Sequence, residues 1–249
     1  MPAQDIPILQ PSPPRQEPPP IPIPPVQVPP PLPPAGGGAR AKALGGALPL
    51  YITLMAFSAV AILLRQTGAL SDTAAILFLD VSFSVVVLVW LIKEFGRVRP
   101  SLAGLGKLWW SPLGVVLGGI TFAVAMVLVK SFIALGIPEI RLSEMFREAG
   151  YGWTTVFLLM CVQPAIFEEL AFRGVILGAL QDVMTPREAV LVSALMFMLL
   201  HLAPVNFPHL LLMGLALGYV RVRSGSLYPC MLMHLTHNLL VVLTEMKGL

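Results

Sequence analysis

The stretch Phe167-Glu168-Glu169-Leu170-Ala171-Phe172-Arg173-Gly174 sets two carboxylates and a guanidinium inside a run of apolar residues. An ionised side chain near the centre of a bilayer costs roughly 2.5–3.5 kcal/mol on insertion scales, so a cluster of them there marks a functional site. Glu169 and Arg173 are four residues apart and share one helix face, close enough to pair. Glu168 is rotated from Glu169 by about 100°, which leaves one carboxylate neutralised locally and the other available. A glutamate held in a low-dielectric site can take and return a proton near neutral pH, the task of a general base. One turn earlier, Gln163-Pro164 interrupts the same segment. Proline has no N–H to give to the carbonyl of Met160, so it kinks or loosens the helix just before the acidic pair.

Partners for such a base are groups that hold water or polarise a carbonyl, and two further apolar segments supply them. Phe197-Met198-Leu199-Leu200-His201 closes one of them. If this segment and the glutamate segment form an antiparallel hairpin turning between Met184 and Thr185, Glu168 and His201 both lie about 25 Å from the turn, at one depth. The last segment carries His234-Leu235-Thr236-His237-Asn238. His234 and Asn238 share a face, with His237 rotated about 60° from His234, and two donors on one face can hold an oxyanion. Glu168, His201, His234 and Asn238, brought from three helices, form a candidate shared site. His209 opens a different segment and is expected to be structural.

These residues resemble a known family, the CPBP intramembrane proteases, also called the CAAX protease and bacteriocin-processing or Abi family. The EExxxR motif stands at Glu168-Glu169 with Arg173, FxxxH at Phe197 with His201, and HxxxN at His234 with Asn238, after a Ser224-Gly225-Ser226-Leu227 turn that also looks like the family. The similarity covers about Gln163 to Asn238. It implies an endopeptidase in which Glu168 activates water, His201 helps orient it, His234 and Asn238 stabilise the oxyanion, and Glu169 with Arg173 holds the helix and tunes the base. The substrate it implies is a peptide or protein in or at the membrane. Glu168, His201 and His234 are also an accepted donor set for a divalent metal such as zinc, with His237 as a spare nitrogen. The sequence has no HExxH helix, which favours the metal-independent glutamate mechanism. The alternative from another class is a non-proteolytic transporter, immunity or scaffold protein that uses the cluster to bind an ion or partner, since intramembrane Glu and His also serve proton relays. The inverted repeats and paired broken helices of many transporters are not evident.

The elements that must position these groups are those of a membrane protein. The chain has 249 residues, of which 56% are hydrophobic and 12% charged, and a mean hydropathy of +0.82. An ordinary soluble domain is about a quarter charged. The expected fold is therefore an all-α, polytopic transmembrane helix bundle. About seven segments approach the ~20 residues a spanning helix requires, at roughly 46–64, 74–92, 113–135, 153–180, 189–202, 209–223 and 227–246. The fifth and sixth are short, and Ala203-Pro204-Val205-Asn206-Phe207-Pro208 between them reads as a tight bend or partly re-entrant turn. Residues 44–249 form the membrane domain, with the family core at about 153–246.

Residues 1–43 read as a disordered, proline-rich arm, either a tether or a ligand for a partner that binds polyproline II. No short basic leader precedes the first apolar run, so a cleavable secretory signal is not expected. The excess of Lys and Arg at Arg40, Lys42, Lys93, Arg97, Arg99, Lys107, Arg187, Arg221 and Arg223, against Arg65, Arg141, Arg147 and Lys247, predicts a cytoplasmic N-terminus. Basic residues fall between apolar runs and form no stripe, which argues against a nucleic-acid partner. Pro138 to Tyr151 has the pattern of a short amphipathic interface helix, serving as a connector or as a gate for lateral entry. Asp80 and Lys130, isolated in two spans, are expected to form a structural pair. Cys161 and Cys230 lie in apolar runs and make no disulfide framework.

Overall fold

A computed structural model describes residues 37–103, 109–138 and 141–247. The proline-rich residues 1–36 lie outside the described residues, so the expected arm and its partner fall there too. Every regular element among the described residues is a helix. Helices α1 (Gly37–Gln66), α2 (Asp72–Lys93), α3 (Phe95–Leu102), α4 (Trp110–Ala134), α5 (Leu142–Glu148), α6 (Trp153–Leu180), α7 (Pro186–Leu200), α8 (Phe207–Ser224) and α9 (Tyr228–Lys247) follow in order. α1 begins inside the stretch that composition assigns to the arm, and its apolar part starts at Leu44.

Five helical segments among the described residues are long and apolar enough to cross a membrane: Leu44–Gln66, Asp72–Lys93, Trp110–Ala134, Trp153–Leu180 and Pro204–Ser224. The two remaining long helices are the ones that carry the histidine motifs. α7 has only 15 residues, and the 20 residues of α9 are diluted by His234, His237 and Asn238. The chain is an integral membrane protein.

Helix α6 is the hub. It packs against α1, α2, α3 and α9, and every residue from Leu170 to Ile176 is buried. Its turns are not uniform. Two widened, π-helical stretches, Leu158–Val162 and Leu170–Ile176, flank an α-helical segment, Gln163–Glu169, that carries both glutamates. Such wide turns insert a residue without breaking the helix, and they concentrate at functional sites.

Small residues bring the flanking helices close. On α4, a Cβ at Gly114 would stand 2.7 Å from the carbonyl oxygen of Pro229, and one at Gly118 would stand 2.5 Å from that of Met233. On α8, a Cβ at Gly214 or Gly218 would collide with Ala194 or Val190 of α7 at 3.0 and 2.9 Å. These are two Gly-x-x-x-Gly pairs, the spacing that lets helix backbones touch where lipid provides no hydrophobic drive.

The α6–α7 hairpin turns at residues 181–185, and a capping box starts α7. The Thr185 hydroxyl accepts from the Glu188 N–H at 3.4 Å, and the Glu188 carboxylate accepts from the Thr185 N–H at 2.9 Å. Between α7 and α8 the expected bend is a 3₁₀ turn at Pro204–Asn206, preceded by Leu202 in the left-handed region at φ 50°. α8 ends on Gly225 at φ 71°, and the following turn is pinned to α3 by Leu227 N–H donating to Ser101 O at 3.2 Å. The amphipathic pattern before α6 yields the short α5, whose Phe146 is buried while Leu142 is exposed.

The expected Asp80–Lys130 pair is not formed. α4, which carries Lys130, packs on α9 and α8, whereas α2, which carries Asp80, packs on α1 and α6. Lys130 is exposed, and Asp80 lies instead within electrostatic range of Glu168.

Candidate active site

Glu169 and Arg173 are both completely buried and meet at 3.1 Å. The guanidinium also donates to Gly214 O of α8 at 3.3 Å and lies over the ring of Phe197, 4.5 Å from its centroid. A buried guanidinium keeps its charge and requires a counter-ion, which Glu169 provides.

The same oxygen of Glu169 accepts a second bond, from Nδ1 of His234 at 2.8 Å. A carboxylate oxygen can only accept, so Nδ1 carries the proton and His234 Nε2 is turned toward Glu168. The separation between His234 Nε2 and Glu168 Oε2 is 3.9 Å, too long for a direct hydrogen bond. Among the described residues Glu168 Oε2 and Glu169 Oε2 both lack a hydrogen-bond partner, but the Glu168 side chain keeps 19% of its exposure where Glu169 keeps none. The two adjacent carboxylates therefore have different environments. One is locked into an Arg–Glu–His chain and the other presents its oxygen beside the imidazole.

His201 caps α7, and its Nδ1 donates to Phe197 O at 2.8 Å, which leaves Nε2 as the acceptor of the neutral ring. Phe197 is the packing centre of the site. Its ring lies 4.8 Å from that of His201, 6.2 Å from that of His234 and 5.2 Å from that of Phe172. Asn238 is committed to the backbone. Its Nδ2 donates to Met160 O at 2.9 Å. His234 and Asn238, expected to hold one oxyanion together, are thus engaged at different points of α6.

Among the described residues no three His, Cys, Asp or Glu side chains gather as metal ligands.

Several residues here were missed or placed elsewhere by sequence reasoning. His209 is a neighbour of the site. Its ring stacks on His237 at 6.3 Å, and it lies within electrostatic range of His201, so all four histidines of the chain gather in one region. His237 contacts Thr121 of α4 at 3.1 Å, and the Thr121 hydroxyl gives its proton to Gly118 O at 3.0 Å. His237 Nδ1 is therefore the donor in that contact. Gln163 bridges to α2, donating to Ser84 Oγ at 3.1 Å and Asp80 O at 3.3 Å. Phe197 was visible in its motif without a role. Its position four residues before His201 on one helix was the available signal.

With this geometry in view, residues 150–240 match a family model, Rce1-like, described as type II CAAX prenyl endopeptidase Rce1-like. This segment is similar to an Rce1-like domain. The match spans α6 to α9 and contains every motif residue named above, from Glu168 to Asn238. No curated protein matches the chain. The Rce1-like family is one of proteases, and its activity fits a polar cluster set among apolar helices.

Proposed function

We propose that the chain is an intramembrane endopeptidase that hydrolyses a peptide bond in a membrane-associated or lipidated peptide or protein, with Glu168 as the general base. The observation that carries this reading is the contrast between the two carboxylates. Glu169 is fully buried with Oε1 shared by Arg173 and His234, whereas Glu168 keeps part of its exposure, and its Oε2, without a hydrogen-bond partner among the described residues, lies 3.9 Å from His234 Nε2.

Glu168 takes a proton from water as the oxygen attacks the scissile carbonyl, and it returns that proton to the leaving amine as the C–N bond breaks. His201 orients the water through the acceptor Nε2. His234, held by Glu169 at Nδ1, faces Glu168 with Nε2 and steadies the developing oxyanion by sharing the proton that Glu168 has taken from water, before that proton passes to the leaving amine. Every proton is returned at the end of the cycle.

The test is cleavage of a farnesylated, internally quenched CaaX peptide by the purified protein in detergent, with product termini read by mass spectrometry. Glu168→Gln keeps the shape and removes the base, so turnover should fall by about 10²-fold or more while peptide binding persists. Activity retained in Glu168→Gln would overturn the assignment. Activity lost to a chelator and restored by zinc would transfer water activation to a metal.

We further propose that α7 and α9 also cross the membrane, giving about seven spans, with a cytoplasmic N-terminus. The bonds from Arg97 of α3 to Gly178 O and from Leu227 N–H to Ser101 O support a common side for Lys93, Arg97, Arg99, Arg187, Arg221 and Arg223. The excess of positive charge on that side supports the orientation. Impermeant thiol labelling of Arg187→Cys and Gly150→Cys in sealed vesicles of known sidedness tests it. Both sites labelling from one side would refute the topology.

A further inference from the structure

We propose that Asn238 is a positioning residue that replaces the backbone donor missing at Pro164, and thereby sets the pitch of the α6 segment bearing Glu168 and Glu169. The inference deepens the protease reading and rests on it for its catalytic consequence.

In an α-helix the carbonyl of Met160 would accept the N–H of residue 164. Proline has none, and a carbonyl left unpaired among apolar helices is a penalty that membrane proteins relieve through neighbouring side chains. Asn238 provides that relief. Its Nδ2 donates to Met160 O at 2.9 Å, from α9 into the widened Leu158–Val162 stretch of α6. The backbone there has already shifted to longer loops, with the Gln163 N–H reaching Leu158 O. Gln163 secures the other flank through Ser84 and Asp80.

The position of Asn238 on α9 gives the bond its consequence. His234 lies one turn earlier on the same helix and holds Glu169. α9 therefore grips α6 at two points, one on the backbone before the glutamates and one on the second glutamate. The face of α9 behind them is braced by Gly114 and Gly118 of α4. The two grips fix the axial and rotational setting of Gln163–Glu169, and with it the separation between Glu168 and His234. One of the two amide protons of Asn238 is spent inside the helix.

The experiment is a double-mutant cycle on the full chain in detergent, using Pro164→Ala, Asn238→Ala and the double variant, with Asn238→Ser as a donor-retaining control. Two readouts are taken: Tm, and kcat and KM on the farnesylated quenched peptide per mole of folded protein. Asn238→Ala is expected to lower Tm and to lower kcat roughly tenfold with KM little changed, as one orphaned carbonyl would do. In the Pro164→Ala background the backbone N–H restored at position 164 serves Met160 O, and the same substitution should cost about twofold or less in kcat and little in Tm. Asn238→Ser should fall between the wild type and Asn238→Ala. An equal kcat loss in both backgrounds with Tm unmoved would show that Asn238 acts on the reacting atoms, and would overturn the proposal. If Asn238→Ala does not fold, recovery of folding in the double variant supports the proposal and its absence refutes it. If the wild type cleaves no peptide, the protease reading fails by itself, while the coupling between positions 164 and 238 in Tm still decides this inference.

Discussion

The most discriminating perturbation is removal of the buried ion pair in two steps. Glu169 and Arg173 have no exposure and stand 3.1 Å apart, with no water-facing side to spread either charge. Removing one partner of such a pair leaves an uncompensated buried charge, a cost of about 3–5 kcal/mol. Arg173→Met also gives up the bond to Gly214 O and the stacking on Phe197, which places it toward the upper end of that range. Glu169→Gln strands the guanidinium and falls within the same range. Removing both charges together, as Glu169→Gln with Arg173→Met, eliminates the charge and its partner at once, so the double variant should lose no more than either single one. The coupling is then several kcal/mol, a large part of a total stability of about 5–15 kcal/mol. Unfolding in mixed micelles with increasing denaturant measures all four corners of the cycle. Activity should follow a different pattern, because the double variant regains stability while His234 still lacks the carboxylate that orients it. Single variants costing under about 1 kcal/mol and adding without coupling would refute the claim that this pair is buried and mutually dependent.

Neighbouring glycines on α4 give a local contrast. Gly118→Ala should destabilise the protein, because the added Cβ meets Met233 O at 2.5 Å, whereas Gly119→Ala, with nothing within 4 Å, should be neutral or slightly stabilising in thermal unfolding. Thr185→Ala removes the capping box of α7 and should lower Tm by about 2–4 °C at neutral pH. The Thr185 side chain and then its backbone N–H hold the Glu188 carboxyl below its usual range, so this contribution is present above the ordinary carboxylate pKa and disappears as pH falls through the depressed one. The Tm gap between wild type and Thr185→Ala should therefore narrow on acidification, and a gap that widens would contradict the cap. Arg97→Gln releases the tie from α3 to Asp182 at the end of α6. The tie is partly exposed, so the cost should be under about 1 kcal/mol and should shrink in high salt.

The sequence makes the polar inventory legible because charge is so costly in an apolar helix. Glu168, Glu169, Arg173, His201, His234 and Asn238 are conspicuous for that reason, and the helical class follows from the same apolar runs. Partners across helices were harder to read. Asp80 faces α6 and not Lys130 because helix neighbours are decided by close backbone approach, which here runs through Gly114, Gly118, Gly214 and Gly218. That four-residue spacing of glycines was present in the sequence and carried the signal. The closeness of His209 to His237 could not be read, because its position at a helix start says nothing of the 3₁₀ turn and the left-handed Leu202 before it. A uniform 3.6 residues per turn also fails along α6, where Leu158–Val162 and Leu170–Ile176 have wider turns. Pro164 announced a missing donor and Asn238 a spare one, yet only the packing of α9 on α6 joins them.

The close approach of α4 to α9 also bears on what can be inherited as a unit. Every motif residue lies within 150–240, but the glycines against the carbonyls of Pro229 and Met233 belong to a helix that ends at Ala134. A shortened chain holding only the matched segment would keep the reactive groups and lose the wall behind His234. Drift in α4 is therefore constrained by chemistry it does not perform, and transplanting the motifs into another bundle requires carrying that helix with them.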